Sequence, residues 1–96
     1  MPLAKDLSAY EDIRPYFERA LESLKGIRIN TPSNGDAVSM RSRFYAMRKL
    51  ERARSLEIFE PGDSRRGISP YENLKIEVVD NQILIRHVAP ITVEDL

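Results

Sequence analysis

Residues 73–88 read NLKIEVVDNQILIRHV, and this stretch decides the fold. Two runs rich in β-branched residues are separated by Asp80 and Asn81, which both tolerate the positive φ of a type I′ turn. A two-residue loop fixes the register of an antiparallel β-hairpin. The pairs expected on the face toward the core are Val78 with Ile83, Ile76 with Ile85 and Leu74 with His87. Those expected on the outer face are Lys75 with Arg86, Glu77 with Leu84 and Val79 with Gln82.

An amphipathic pattern near the N-terminus predicts a first helix at about 9–25. Ser8 and Glu11 match the S-x-x-E capping box, and Gly26 suits the position just past a helix end. Pro15 is discordant because it lacks an N–H, so either the helix kinks there or a short turn precedes it. The residues expected on the buried face are Tyr10, Ile13, Phe17, Leu21 and Leu24.

A second helix is predicted at 36–55, with Ser33, Asn34 or Asp36 as its cap. Its expected apolar face consists of Ala37, Met40, Phe44, Met47 and Leu50. The alternation at 27–30 is a candidate short strand, and Ile91 and Val93 could add an edge strand. The fold class is therefore α+β: two amphipathic helices packed on a C-terminal antiparallel hairpin, in a single small globular domain spanning 1–96.

Composition narrows the class of protein. The chain is 42% hydrophobic and 31% charged, which is ordinary for a folded globular protein. It has no cysteine, so disulfides and thiolate chemistry are excluded. The polar start and the lack of a long apolar run predict a cytoplasmic protein without a membrane partner. The net charge of zero hides a basic middle, since residues 27–66 carry nine basic and five acidic side chains.

The segment RSRFYAMRKLERAR, residues 41–54, holds six of the fifteen basic residues on one predicted helix. Arg41, Tyr45, Arg48 and Arg52 follow the spacing that places them in a single stripe, with Lys49 at its margin. Guanidinium groups pair with phosphates or guanine edges, and tyrosine can stack on an unpaired base. The stripe therefore favours a polyanion as partner.

These features predict a small non-enzymatic protein that binds nucleic acid, DNA rather than RNA, in an accessory or regulatory role. The loop 62–67 could assist through an Arg pair, much as a flexible wing would. The candidate binding residues are Arg41, Tyr45, Arg48, Lys49, Arg52, Arg65 and Arg66. Arg48→Ala or Arg52→Ala is expected to weaken binding without unfolding the chain. Lys75 opposite Arg86 adds a second basic spot, whose like charges favour an anionic neighbour.

Other interpretations stay open. The first is a protein-interaction module or inhibitor that contacts an acidic partner surface, self-association included. The second is a solvated helix face in which Arg48 pairs with Glu51. An enzyme is disfavoured because the single histidine, His87, is predicted to point toward the core. No phosphate-binding glycine motif or metal-ligand spacing is present, so no cofactor and no metal site is predicted; Glu57, Glu60 and Asp63 match no EF-hand.

Overall fold

Two helices pack on one face of a three-stranded antiparallel sheet in the computed structural model, which describes residues 7–88 and 95–96. In chain order the elements are a 3₁₀ helix (Leu7–Tyr10), α1 (Arg14–Glu22), β1 (Ile27–Asn30), α2 (Asn34–Ile58), β2 (Leu74–Val79) and β3 (Gln82–His87). The strand order is β1-β3-β2, so the last strand lies in the centre. The α+β class and the extra strand at 27–30 are confirmed. The strand suggested around Ile91 and Val93 lies outside the described residues.

The hairpin has the register that the sequence predicts, from Leu74 opposite His87 to Val79 opposite Gln82. The turn type is different, because only Asp80 of the two turn residues has a positive φ, at 55°. Thr31, which precedes α2, stabilises this turn by two hydrogen bonds. Its N–H and its hydroxyl donate to the Asn81 carbonyl at 2.9 and 2.7 Å. The loop before α2 therefore helps to shape the hairpin turn, a contact that local sequence cannot reveal.

The predicted first helix at 9–25 is too long at both ends, and the short leading turn that Pro15 suggested as an alternative is confirmed. Its start divides into the 3₁₀ helix and α1, because Pro15 is tolerated only in the first turn of a helix, where no N–H is needed. Ser8 consequently lies in the 3₁₀ helix rather than capping a long helix. The other end stops at Glu22, and Leu24, expected on the buried face, is fully exposed.

The second helix is longer than predicted and runs over Asn34–Ile58. Ser33 is its cap, and the Ser33 Oγ accepts a hydrogen bond from the Asp36 N–H at 3.1 Å. Ala37, Phe44 and Met47 from its predicted apolar face are fully buried. The helix thus packs by the face that the hydrophobic pattern indicates.

A stack of aromatic rings forms the centre of the core. The Phe17 ring stacks on the Tyr71 ring with centroids 4.5 Å apart, and its other neighbour is Phe44 at 4.6 Å. These rings come from α1, the segment before β2, and α2, so they join the parts of the chain that surround the sheet. The remaining buried hydrophobic residues of the same cluster are Ile13, Ala20, Ile29, Ala37, Met47, Leu74, Ile76, Ile83 and Ile85.

His87 does not lie in the core as predicted. It is exposed at the end of β3, and its Nε2 lies 3.2 Å from the Leu21 carbonyl oxygen at the end of α1. Its register position faces the helices, but α1 ends at this level and leaves the ring open to solvent.

Gly26 allows the chain to enter β1. Its φ is +85°, and a Cβ there would lie 2.3 Å from the Ile85 carbonyl oxygen. Gly62 has a similar φ of +95° but open space around it.

We expect Gly62→Ala to lower the free energy of unfolding by about 1 kcal/mol through backbone strain alone. Gly26→Ala should cost at least about 2 kcal/mol more, because the sheet must shift to remove the clash. Urea denaturation of both variants measures the difference, and equal losses would contradict the close approach.

Candidate binding surfaces

Part of the predicted basic stripe binds the edge of the sheet. The Val88 N–H donates to the Asn73 carbonyl, so by alternation the main-chain groups of Leu74 and Ile76 point away from β3. The Arg48 Nη2 donates to the Leu74 carbonyl at 3.0 Å, and the Tyr45 hydroxyl donates to the Ile76 carbonyl at 3.3 Å. Two side chains of α2 therefore bind two of the outward carbonyls on the edge of β2.

Arg48 is a core residue, with only 8% of its surface exposed. Its guanidinium lies 5.9 Å from the Phe17 ring centroid and 5.8 Å from that of Tyr45. Burial lowers the pKa of Arg48. The alternative pair with Glu51 does not form among the described residues, where both the Arg48 Nε and the Glu51 Oε1 are buried without a hydrogen-bond partner. Arg48→Ala is therefore expected to destabilise the fold, contrary to the sequence-based expectation.

Arg52 is neutralised by an ion pair with Glu72. The Arg52 Nε donates to Glu72 Oε1 at 2.8 Å, and its Nη2 donates to the other carboxylate oxygen. The Ser69 N–H also donates to Glu72 at 3.0 Å. The hydrogen bond from Arg52 is the main reason that the pKa of Glu72 falls to about 2. Arg52 thus joins α2 to the segment before β2 and offers little net charge to a partner.

Three residues of the predicted site remain available on one side of α2. Arg41 is half-buried and Lys49 is exposed, and within residues 7–88 and 95–96 neither has an ion pair or a side-chain hydrogen bond. Tyr45 lies between them at four-residue spacing, with 47% of its surface exposed. A cation, an aromatic ring and a second cation therefore follow one another along the helix.

The loop pair predicted to assist is divided between two roles. Arg65 donates to Asp63 at 2.8 and 3.0 Å and lies over the Phe59 ring at 4.2 Å. The hydrogen bond from Arg65 lowers the pKa of Asp63 to about 2. Arg66 is exposed and has no side-chain partner in the described part of the chain.

The loop lies against the same side of α2 as the three available residues. The Gly67 N–H donates to the Ser55 Oγ at 2.7 Å, and a Cβ on Gly67 would be 3.8 Å from Leu56 Cδ2. Leu56 follows Tyr45 and Lys49 by eleven and seven residues, which is the same helical stripe. Arg66 precedes Gly67 in the chain and is exposed near the Leu56 end of this stripe. We call Arg41, Tyr45, Lys49 and Arg66 the α2 flank.

Other basic residues serve the fold. Arg43 donates to both carboxylate oxygens of Asp12 at 2.6 and 2.7 Å, and to the Ala9 carbonyl at 3.0 Å. On the outer sheet face, Glu77 accepts from Arg86 and lies 3.7 Å from the Lys75 Nζ. The like charges of Lys75 and Arg86 are therefore balanced from within, and they create no need for an external anion.

A groove of about 540 Å³ runs beside the outer edge of β1, away from the predicted site. Its lining residues are Tyr16, Arg19, Ser23, Gly26, Ile27, Arg28, Ile29 and Asn30. Sequence reasoning missed it, because a four-residue strand does not indicate which of its edges will be paired. We call it the β1 groove.

A polar cluster borders the aromatic stack. The Tyr71 hydroxyl donates to Glu18 and accepts from the Arg14 Nη1 at 3.2 Å. Burial, with the hydrogen bond to Glu18, raises the pKa of Tyr71 to about 12. Burial also raises the pKa of Glu51 nearby. The described residues contain no group of three or more His, Asp or Glu side chains that could hold a metal ion.

Comparisons with known proteins add no further assignment. No protein-family model, no curated protein and no solved structure matches the chain. No helix in the described ranges has the length and apolarity needed to cross a membrane.

The buried carboxylate of Glu51 predicts a stabilising substitution. Because burial raises its folded pKa above the ordinary 4.5, ionised Glu51 costs stability at neutral pH. Glu51→Gln should therefore raise the Tm by a few degrees at pH 7. The gain should fade as the pH falls through the folded pKa toward 4.5, where the native carboxyl is protonated as well.

Thermal unfolding of both proteins between about pH 4 and 7 measures this effect. Glu57→Gln on the same helix is the control, because the Glu57 side chain is exposed. A Tm gain for Glu51→Gln that does not change with pH would show that ionisation of Glu51 is not its cause.

Proposed function

We propose that this chain is a small non-enzymatic nucleic-acid-binding protein that contacts DNA in preference to RNA through the α2 flank. One observation carries the proposal: Arg41 and Lys49 have no ion pair within the described chain, and they bracket the exposed ring of Tyr45. The two cations would bind phosphates, while the exposed ring of Tyr45 would stack on an unpaired base.

The dimensions of α2 suit a duplex groove. Arg41 and Lys49 are eight residues apart, which corresponds to roughly 12 Å along a helix and is comparable with the width of the major groove. The outermost positions, Ser39, Ser42 and Ala46, carry small exposed side chains. The helix backbone could therefore approach DNA closely while the two cations reach phosphates on either side.

The expected affinity is modest. Arg48, Arg52 and Arg65 are engaged within the fold, so three cations of the predicted seven-residue site remain for phosphates. The chain as a whole has no net charge, which gives little long-range attraction to DNA. Such binding fits an accessory or regulatory role better than a role as a principal DNA-packaging protein.

A protein-interaction module or inhibitor is the second candidate, and the zero net charge favours it. Arg and Tyr side chains are enriched at interface hot spots, so the same α2 flank could contact an acidic protein surface. The two candidates differ in their response to a bare polyanion, which only the first should bind.

Fluorescence anisotropy with labelled single-stranded DNA, double-stranded DNA and RNA tests the proposal. With about three phosphate contacts, affinity for duplex DNA should fall roughly 40-fold between about 50 and 200 mM salt. Lys49→Glu should weaken binding and reduce the salt slope by about one contact.

Arg54→Glu is the matched control, because Arg54 is an exposed cation on the opposite side of α2. It should leave the salt slope unchanged. Equal losses for Lys49→Glu and Arg54→Glu would reject the α2 flank as the binding surface. No binding to any of the three nucleic acids would reject the proposed function and favour the protein-interaction candidate.

A further inference from the structure

The two edges of the sheet are protected differently. On the edge of β2, Tyr45 and Arg48 bind the outward carbonyls of Ile76 and Leu74. Within residues 7–88 and 95–96, no side chain binds the main-chain groups on the edge of β1 in this way. The Thr31 N–H donates to the Asn81 carbonyl, so by alternation the main-chain groups of Arg28 and Asn30 point away from β3. These two N–H and two C=O groups have no hydrogen-bond partner within the part of the chain that the structure describes.

An uncovered edge next to a groove is the geometry for strand addition. An extended peptide that lies beside β1 would use the free N–H and C=O groups of Arg28 and Asn30 and continue the sheet. The β1 groove, at about 540 Å³, provides the space, with α1 as its other wall. Tyr16, with 36% of its surface exposed, offers an aromatic contact on that wall.

The charges of the groove select the chemistry of the peptide. Among the described residues, its lining contains Arg19 and Arg28 but no carboxylate. Both arginines are exposed, and neither has an ion pair among residues 7–88 and 95–96. Arg19 lies on α1, whereas Arg28 alternates with the inward-facing Ile27 and Ile29 and so lies on the outer sheet face. Neighbouring side chains of an added strand would thus meet one arginine each.

We propose that the β1 groove binds an extended acidic peptide segment of a partner protein by strand addition. Main-chain hydrogen bonds to Arg28 and Asn30 position the segment, and Arg19 and Arg28 select Glu or Asp side chains on its two faces. A second copy of this chain is a poorer occupant, because pairing two β1 edges would bring both arginines of each copy together. This surface is separate from the α2 flank, so the proposal does not depend on nucleic-acid binding.

The test uses a labelled peptide of about nine residues built from Val, Thr and Glu, with a Lys-for-Glu peptide as its charge control. Fluorescence anisotropy should detect binding of the acidic peptide and not of the basic one. The double variant Arg19→Glu/Arg28→Glu should weaken binding at least about tenfold. The matched control Arg41→Glu/Lys49→Glu makes the same charge change on the α2 flank and should leave the affinity unchanged.

Amide hydrogen exchange provides a readout specific to strand addition. Saturating acidic peptide should slow exchange at Arg28 and Asn30 at least about tenfold. The same peptide N-methylated at its central amides should not bind, because it cannot make the main-chain hydrogen bonds. This comparison needs no change in the protein, so it stands even if a variant folds poorly.

Several outcomes would overturn the proposal. These are equal binding of the N-methylated peptide, loss of binding in the α2-flank variant instead of the β1-groove variant, and no binding of the acidic peptide. Size-exclusion chromatography of the free protein gives one more: a dimer with Arg28 and Asn30 amides already protected would show that a second copy occupies the edge. Nucleic-acid binding can fail or succeed independently of each result.

Discussion

The packing of Phe17 between Tyr71, on which it stacks, and the tilted ring of Phe44 is the contact on which the rest of the molecule depends. Each ring comes from a different part of the chain, and the stack fixes the distance between the two helices and the segment before β2. The Arg48 guanidinium lies 5.9 Å from the Phe17 ring centroid and also donates to the Leu74 carbonyl of the edge strand. The covered edge, the exposed α2 flank and the open β1 groove all follow from this arrangement of the helices on the sheet.

Local patterns predicted the elements whose stabilising contacts lie close in sequence. The hairpin register follows from a two-residue loop and alternating side chains, and α2 follows from a capping residue and a regular apolar stripe. The amphipathic pattern alone made the first helix too long, whereas Pro15 indicated a kink or a short leading turn, and the structure has the short turn. The exposure of His87 depends on where α1 ends, which is a tertiary property.

The candidate site was harder to predict than the fold. The helical spacing correctly grouped Arg41, Tyr45, Arg48 and Arg52 on one side of α2, but it could not show what lies beside that side. Because β1 pairs with β3 and not with β2, β2 becomes an edge strand with outward carbonyls that need donors. Arg48 and Tyr45 supply them. The sequence pattern is the same for an arginine that hydrogen-bonds to the edge of a sheet and for an arginine that is available to bind a phosphate.

The unequal edges also limit how this protein can assemble. A sheet with two open edges can add strands on both sides, and association then continues without a natural end. Here the Arg48 and Tyr45 side chains bind two outward carbonyls of β2, so a strand that adds to this edge has to displace side chains of the same molecule. Among the described residues, strand addition at β1 requires no such displacement, so association through this sheet has a preferred side.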